Sequence, residues 1–322
     1  MRAPGYSVLF ALALIWGASF LFIKIGVEDV SPATLVFGRL AFSVLTLGAI
    51  IAVNPALAKG WRDYWRLGLL VGLANNVLPY LLIAWGETRI ASGVASILNA
   101  TTPLFTVMLA HWWSEAARER LTIRRAVGVL VGFVGVGVLI GPAAIQFTGR
   151  GVGQTLGEVA VLIAAAAYGV GALLSKRFGG SAPLVGPLTM QSAALLVMLP
   201  VILLWDPPTR LPSLAALGSM AELGVLATAV AYLLYFWLIR HVGPTRTALV
   251  TYLLPCTALL WGVLFLGERV SWNTFAGLLL VLLGTMVTNG TLSGLIGRRV
   301  KRQSTGEMNV AAATETSTAT RL

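Results

Sequence analysis

The chain has 322 residues, 57% of them hydrophobic and 11% charged, whereas a soluble domain carries about 25% charged residues, so water does not cover its outside. The formal charge of +11 does not indicate nucleic acid, because the basic residues lie in short loops between apolar runs. Two histidines, one cysteine (Cys256) and scattered carboxylates leave no metal site, no cofactor site and no intrachain disulfide.

A membrane-spanning helix needs about 20 mostly apolar residues. The stretches between charges predict ten: 8–26, 34–53, 66–86, 90–112, 124–141, 157–176, 184–205, 214–239, 245–266 and 272–289. The first has one basic residue ahead of it, Arg2, and reads as an uncleaved first span. Ten-residue alternating segments are missing, which excludes a β-barrel. Pro142 and Gly149-Arg150-Gly151-Val152-Gly153 mark a seam between a five-helix half at 8–141 and another at 157–290. Residues 303–322, rich in Ser, Thr and Ala, read as a disordered cytoplasmic tail.

The two halves repeat one another. Tyr80-Leu81-Leu82 with Trp85 returns 152 residues later as Tyr232-Leu233-Leu234 with Trp237, and the same offset pairs Gly17 with Gly169, Lys24 with Lys176 and Pro103 with Pro255. At an offset of 149, Glu119-Arg120-Leu121-Thr122 answers Glu268-Arg269-Val270-Ser271, and Gly128 and Gly135 answer Gly277 and Gly284. An odd number of spans per copy turns the second copy upside down in a bilayer. The expected fold is an all-α integral membrane protein, ten transmembrane helices as two inverted five-helix repeats.

Orientation follows from Lys and Arg. With a cytoplasmic N-terminus, 17 basic residues fall on the cytoplasmic side and 6 (Lys24, Arg39, Arg89, Arg150, Arg210, Arg269) on the other. Both termini are therefore expected in the cytoplasm, in a multi-pass protein of the plasma membrane. Trp61, Trp65, Trp112, Trp113, Trp205 and Trp272 lie at predicted span ends, where amphipathic rings prefer to sit.

These residues resemble the drug/metabolite transporter superfamily, specifically carriers with two EamA-type domains. The resemblance rests on Trp16-Gly17-Ala18-Ser19-Phe20, Arg39, the stretch from Tyr80 to Ile97-Leu98-Asn99-Ala100-Thr101-Thr102-Pro103, Glu119-Arg120-Leu121-Thr122 and Leu264-Phe265-Leu266-Gly267-Glu268-Arg269. It covers about residues 8–290. His111-Trp112-Trp113-Ser114-Glu115-Ala116-Ala117-Arg118 departs from the short loop of the second half. The resemblance implies a central cavity lined by spans 1, 3, 4, 6, 8 and 9, and transport of small organic solutes, commonly amino acids, related metabolites or drugs, often outward.

Polar side chains are costly in hydrocarbon and face protein or water, so mid-span polar residues are the informative ones. Asn76 and Tyr80 share a face of span 3; Ser92, Ser96, Asn99 and Pro103 share one of span 4. The repeat pairs Asn76 with Thr228, Tyr80 with Tyr232, Asn99 with Thr251, and Trp16 with Tyr168. These eight are the candidate substrate-binding residues, against the competing reading that small polar and aromatic residues only join packed helices. Pro103 and Pro255 are candidate kinks or gates. Lys24, Arg39, Glu158 and Glu222 lie toward outer span ends, where snorkelling lowers their cost. Glu222 is the candidate proton-coupling acid, against a structural pairing with Lys24 or Arg39. Glu87 reads as a solvated loop residue, and Glu119 and Glu268 as acidic complements to the N-termini of spans 5 and 10. His111 and His241 are expected at the interface. Gly128/Gly132, repeated at Gly137/Gly141, and Gly68/Gly72 are small-xxx-small faces, expected to serve internal packing rather than dimerisation.

The leading expectation is a secondary carrier working by alternating access, a monomer or weak homodimer whose partners are a small-molecule substrate and the bilayer. No GxxxxGK[ST] loop occurs to bind ATP. The rivals are an intramembrane enzyme, which needs clustered acids, bases or a metal, and a lipid scramblase, which needs a continuous polar track.

Overall fold

The computed structural model describes residues 3–113, 122–141 and 150–291. The Glu119 segment, the seam residues 142–149 and the expected tail at 303–322 lie outside the described residues. Within them the protein is all-helical.

The helices are α1 (Ala3–Val27), α2 (Pro32–Val53), α3 (Trp65–Gly72), α4 (Leu78–Glu87), α5 (Ser92–Asn99), α6 (Thr102–Trp113) and α7 (Ile123–Ile140). Then follow α8 (Arg150–Ser175), α9 (Val185–Leu204), α10 (Leu214–Ala221), α11 (Ala231–Val242), α12 (Pro244–Thr247), α13 (Val250–Leu266) and α14 (Trp272–Thr288). Joined end to end where they are continuous, they give eight helical stretches long and apolar enough to cross a membrane, with α13 and α14 as shorter apolar helices. Serine and threonine set several starts. Ser31, Thr122, Ser213 and Ser271 each accept a hydrogen bond from the backbone N–H three residues on, satisfying a donor the helix itself leaves free. The tryptophans expected at span ends are all exposed, as are His111 and His241.

Four spans expected as single helices are broken. Between α3 and α4 the chain forms a π-helical turn, Leu73–Val77, and between α10 and α11 a longer one, Glu222–Val230. Applying the 152-residue offset places the first inside the second. Pro79 accounts for the first: it has no N–H to donate, and its ring crowds the carbonyl four residues back. The second has no proline. There the Thr228 hydroxyl donates to Leu223 O, five residues back (2.7 Å), and Trp16 Nε1 donates to Ala227 O (3.0 Å), so side chains take up carbonyls of the widened turn. The fourth span breaks at Ala100–Thr101, with Pro103 at the start of α6, where a proline needs no donor. The ninth breaks at Ala248–Leu249, and Pro255 lies inside the unbroken α13. The two prolines therefore occupy different local settings.

Glycines show how the halves meet. A Cβ on Gly17 of α1 would lie 2.9 Å from Ala258 N of α13; one on Gly169 of α8 would lie 3.1 Å from Thr106 N of α6. The offset that carries Gly17 to Gly169 carries Thr106 to Ala258, so these are the same contact with the copies exchanged. The same exchange relates two contacts between α7 and α14. A Cβ on Gly128 would lie 2.8 Å from Gly284 O, and one on Gly135 3.0 Å from Gly277 O. The early glycine of one helix meets the late glycine of the other, so α7 and α14 run antiparallel. Gly72 is likewise laid bare against the backbone of α9, and Gly224 against that of α2. The glycine faces serve packing within the chain. Gly137 is the exception: a Cβ there would meet nothing within 4 Å.

Candidate functional site

The second π turn packs against α2 and the first against α9. Gly224, in the second turn, has no side chain, and a Cβ there would fall 2.5 Å from Arg39 O. The turn therefore lies directly on α2 at Arg39. From α2 the Arg39 side chain reaches into the protein. Its guanidinium carbon stands 3.7 Å above the centroid of the Tyr80 ring, and Nη2 donates to Thr228 Oγ1 at 3.4 Å. Only 9% of the residue is exposed, and its Nε has no hydrogen-bond partner. This overturns the expectation that Arg39 snorkels to a span end. The stack on Tyr80 is worth about 2 kcal/mol when desolvated, much less than the cost of burying an unpaired charge.

Aromatic rings gather round this guanidinium. Tyr80, Tyr168 and Tyr232 are close enough to one another and to Arg39 to interact electrostatically, and Tyr235 adjoins Tyr232. Trp16 lies 5.7 Å, centroid to centroid, from Tyr235. Glu222, which opens the second π turn, is within electrostatic reach of Arg39 without forming an ion pair, and its Oε2 is buried and unpartnered. Five of the eight candidate binding residues thus converge: Trp16, Tyr80, Tyr168, Thr228 and Tyr232. Trp16 has already committed its ring N–H to Ala227 O, so only its ring face is free to meet a ligand.

The other three stand differently. Asn76, in the first π turn, is 0% exposed and neither of its amide atoms has a partner. Asn99 ends α5 at the break in the fourth span, half-buried, with Oδ1 unpartnered. Thr251 is exposed and donates to Ala248 O of its own chain segment (2.7 Å); no contact joins it to the cluster.

Two residues escape the reading of the sequence. Arg39 stands out there as intramembrane but is assigned to a span end. Gln191 does not stand out at all, though the offset of 152 carries Arg39 to it. Gln191 is 0% exposed and both of its amide atoms are unpartnered. It lies on α9, which packs against the π turn that holds Asn76. Each half thus sets one polar side chain of a second helix beside a π turn: Arg39 in one, Gln191 in the other. Buried polar groups are ordinarily satisfied, and orphans paired in this way mark a place built for something other than packing.

A second polar cluster joins the two halves at one end. Glu268 accepts hydrogen bonds from Ser92 N (2.6 Å, Oε1) and Gly93 N (3.0 Å, Oε2). It therefore complements the N-terminus of α5. Span 10 was expected to be its partner, but that helix is capped by Ser271. Gly267 makes this possible: its φ of 64° turns the chain back at the end of α13. Lys24 Nζ donates to the carbonyls of Glu87 (2.5 Å) and Ile90 (3.0 Å), closing the C-terminal end of α4. Beside it the Glu87 side chain is 0% exposed and neither carboxylate oxygen has a partner. Glu87 is not the solvated loop residue its position suggested. Among the described residues no group of three or more His, Cys, Asp or Glu is placed to hold a metal.

An all-helical, multi-pass membrane protein with a charged and aromatic centre is the class these features define. The model of the EamA-like transporter family matches residues 3–141 and again 155–290, and the chain belongs to that family. It is 28% identical to an uncharacterized transporter of Archaeoglobus fulgidus, over 87% of this chain and 96% of that protein. It is 25% identical to the uncharacterized inner membrane transporter YedA of Escherichia coli, over 83% and 85%. It is 26% identical to the probable terminal-alkyne amino-acid exporter of Streptantibioticus cattleyicolor, over 90% and 94%. One solved crystal structure shares the fold at a TM-score of 0.60 and 19% identity, covering 89% of this chain and 98% of the other.

Proposed function

We propose that the protein is a secondary transporter that moves a small organic solute across the plasma membrane, in the direction of export, by alternating access. The observation that carries this is the convergence of Arg39, Tyr80, Tyr168, Thr228 and Tyr232, from both halves, on one buried polar centre. Intramembrane ionisable residues facing the protein interior mark substrate pathways, and carriers built from repeats bind at the interface of the copies near the midplane, where helices are interrupted. The exchanged glycine contacts support two five-helix halves, 8–141 and 157–290, related by inversion, making ten spans with both termini cytoplasmic. Export is supported by the exporter among its relatives. Asn76, Tyr80, Tyr168, Thr228 and Tyr232 are the substrate contacts, and the breaks at Ala100–Thr101 and Ala248–Leu249 are the bending points, with Pro103 and Pro255 beside them. The protein works as a monomer or a weak homodimer.

The test is transport by purified protein in proteoliposomes across a panel of amino acids, sugars and organic cations. Asn76→Ala and Tyr80→Ala are each expected to reduce uptake of the transported solute by about tenfold or more, the size of one lost buried polar contact, with insertion and monodispersity unchanged. Unchanged rates in both variants would remove this centre as the binding site.

A further inference from the structure

We propose that the connector between α2 and α3 holds an anionic phospholipid, its phosphate met by Lys59 and Arg62 and its chains seated in the apolar groove beside them. The inference rests on the membrane class of the protein and is independent of what the protein carries.

The connector is held in place by the rest of the chain. It forms two short 3-10 turns, Pro55–Ala58 and Trp61–Tyr64, joined through Lys59 and Gly60. Gly60 has a φ of 79°, which turns the chain between them. Leu184 N donates to Leu57 O (2.8 Å), and the Tyr64 ring lies 5.7 Å, centroid to centroid, from that of Phe178. Both contacts come from the second half. With Ile51 near the end of α2, the connector borders a cavity of about 380 Å³, within the range of about 300–1,000 Å³ common to small-ligand sites. Pro55, Ala56 and Ala58 make its lining apolar, and Lys59 and Trp61 give it a charge and a ring.

Charge selects the occupant. The guanidinium carbons of Arg62 and Arg66 lie 5.6 and 6.0 Å from the ring centroids of Trp61 and Trp65. Lys59, both arginines and both tryptophans are exposed. Among the described residues none of the three bases forms an ion pair or a side-chain hydrogen bond. Asp63 is the one acid beside them, so three positive charges and one negative leave the patch at +2. Basic side chains and tryptophans together at a span end suit the anionic lipid interface. Inorganic phosphate would meet the bases and leave the apolar groove empty. A zwitterionic lipid would fill the groove but bring a cation of its own to the bases. An anionic phospholipid matches both. The architecture does not impose this chemistry. The offset of 152 carries Lys59, Trp61, Arg62 and Arg66 to Leu211, Ser213, Leu214 and Gly218. The one base of that second connector, Arg210, is already paired with Asp29 (2.9 Å). The lipid site therefore lies on one face only, the cytoplasmic one in the orientation proposed above.

The experiment uses the full chain, purified and delipidated in detergent. Its thermal midpoint is followed as the micelles are doped with dioleoylphosphatidylglycerol or dioleoylphosphatidylcholine, or as inorganic phosphate is added. A ligand of the folded state raises that midpoint by mass action. The half-maximal effect is expected at about thirtyfold less phosphatidylglycerol than phosphatidylcholine, two basic side chains at the surface contributing about fivefold each. Lys59→Gln/Arg62→Gln should remove this preference. Arg240→Gln/Arg246→Gln, which takes as much charge from the same expected face, should keep it. Ala56→Trp fills the groove with every charge in place and should also lose the preference, which a diffuse positive surface would retain. Equal effects of the two lipids, or of inorganic phosphate and phosphatidylglycerol, overturn the proposal. So does a preference kept in Lys59→Gln/Arg62→Gln or in Ala56→Trp, or one lost in Arg240→Gln/Arg246→Gln. Should Lys59→Gln/Arg62→Gln fail to fold, Ala56→Trp still decides. Each of these outcomes leaves the transporter reading as it stands.

Discussion

Gly284→Leu is expected to destroy the folded protein, whereas Gly137→Leu, on the partner helix, is expected to leave it unchanged. A Cβ at Gly284 falls on the backbone of α7: Gly128 O and Gly132 Cα would each lie at 2.6 Å, and Gly132 N closer still. Backbone cannot rotate away as a side chain can, so the two helices must separate along their length. Overpacking a core costs about 1–3 kcal/mol even where side chains give way. Here the same displacement also opens the Gly135–Gly277 contact and the Gly128–Thr288 contact, where a Cβ on Gly128 lies 2.7 Å from Thr288 N. In lipid, helix association depends on such close packing rather than on exclusion of water, and a total stability of about 5–15 kcal/mol does not absorb its loss. A Cβ at Gly137 would meet nothing within 4 Å beyond its own helix, and substitutions at such positions change stability by about 0.5 kcal/mol or less. Size-exclusion profiles and thermal unfolding in detergent separate the two variants. Equal midpoints would mean that the α7–α14 contact does not hold the halves together.

The repeat was the most legible feature of the sequence. The pairs Gly17/Gly169, Gly128/Gly277 and Gly135/Gly284 read from matched letters all turned out to sit at close approaches between halves. Glycine survives duplication for a geometric reason, because only it lets two backbones meet, and so the letter match reports a contact directly. Gly137 belonged to the same small-xxx-small pattern and packs on nothing. The spacing identifies a face, and whether a neighbour lies over that face depends on helix rotation. The helix breaks were less legible still. Pro79 explains one π turn, but the other depends on Thr228 and on Trp16 from a distant helix, and such tertiary bonds leave no local mark.

Charged residues were where sequence reasoning failed, in a consistent way. Arg39 and Glu87 were placed by the distance of each Cα from a span end. A long side chain covers several ångströms in either direction, so the position of its Cα does not fix the depth of its charge. Arg39 reaches Tyr80 and Thr228, and Lys24 caps carbonyls of a different helix. A stricter use of the repeat would have found more: carrying every polar residue across the offset, and not only those that match, exposes the pair Arg39 and Gln191. The difference between these two is where the halves part in chemistry, one contributing a charge and the other an amide.

The two carboxylates of the end cluster are expected to respond oppositely to neutralisation. Glu268→Ala removes both acceptors from the N-terminus of α5 and leaves Ser92 N and Gly93 N without partners at the seam between halves. No neighbouring side chain replaces them, since the carboxylate lies between two bare glycines: a Cβ on Gly93 would lie 3.3 Å from Oε2 and one on Gly262 2.5 Å. Hydrogen bonds to a charged group contribute about 1.5–3 kcal/mol each, so the expected loss is on the order of 3 kcal/mol, with Glu268→Gln losing less because one acceptor oxygen remains. Glu87 makes no such bonds. Its carboxylate is buried, both oxygens are unpartnered, and besides Lys24 the nearby charge is that of Glu268. An amide of the same shape lowers the cost of burial, so Glu87→Gln is expected to raise the thermal midpoint. Lys24 decides whether the charges are coupled. Lys24→Met should be more damaging in the wild type, where it strands the Glu87 charge, than in the Glu87→Gln background, where only the bonds to the backbone carbonyls at positions 87 and 90 are lost. A double-mutant cycle on thermal midpoints measures that difference. A lowered midpoint in Glu87→Gln, or a zero coupling term, would show that Glu87 acts through a contact other than its charge.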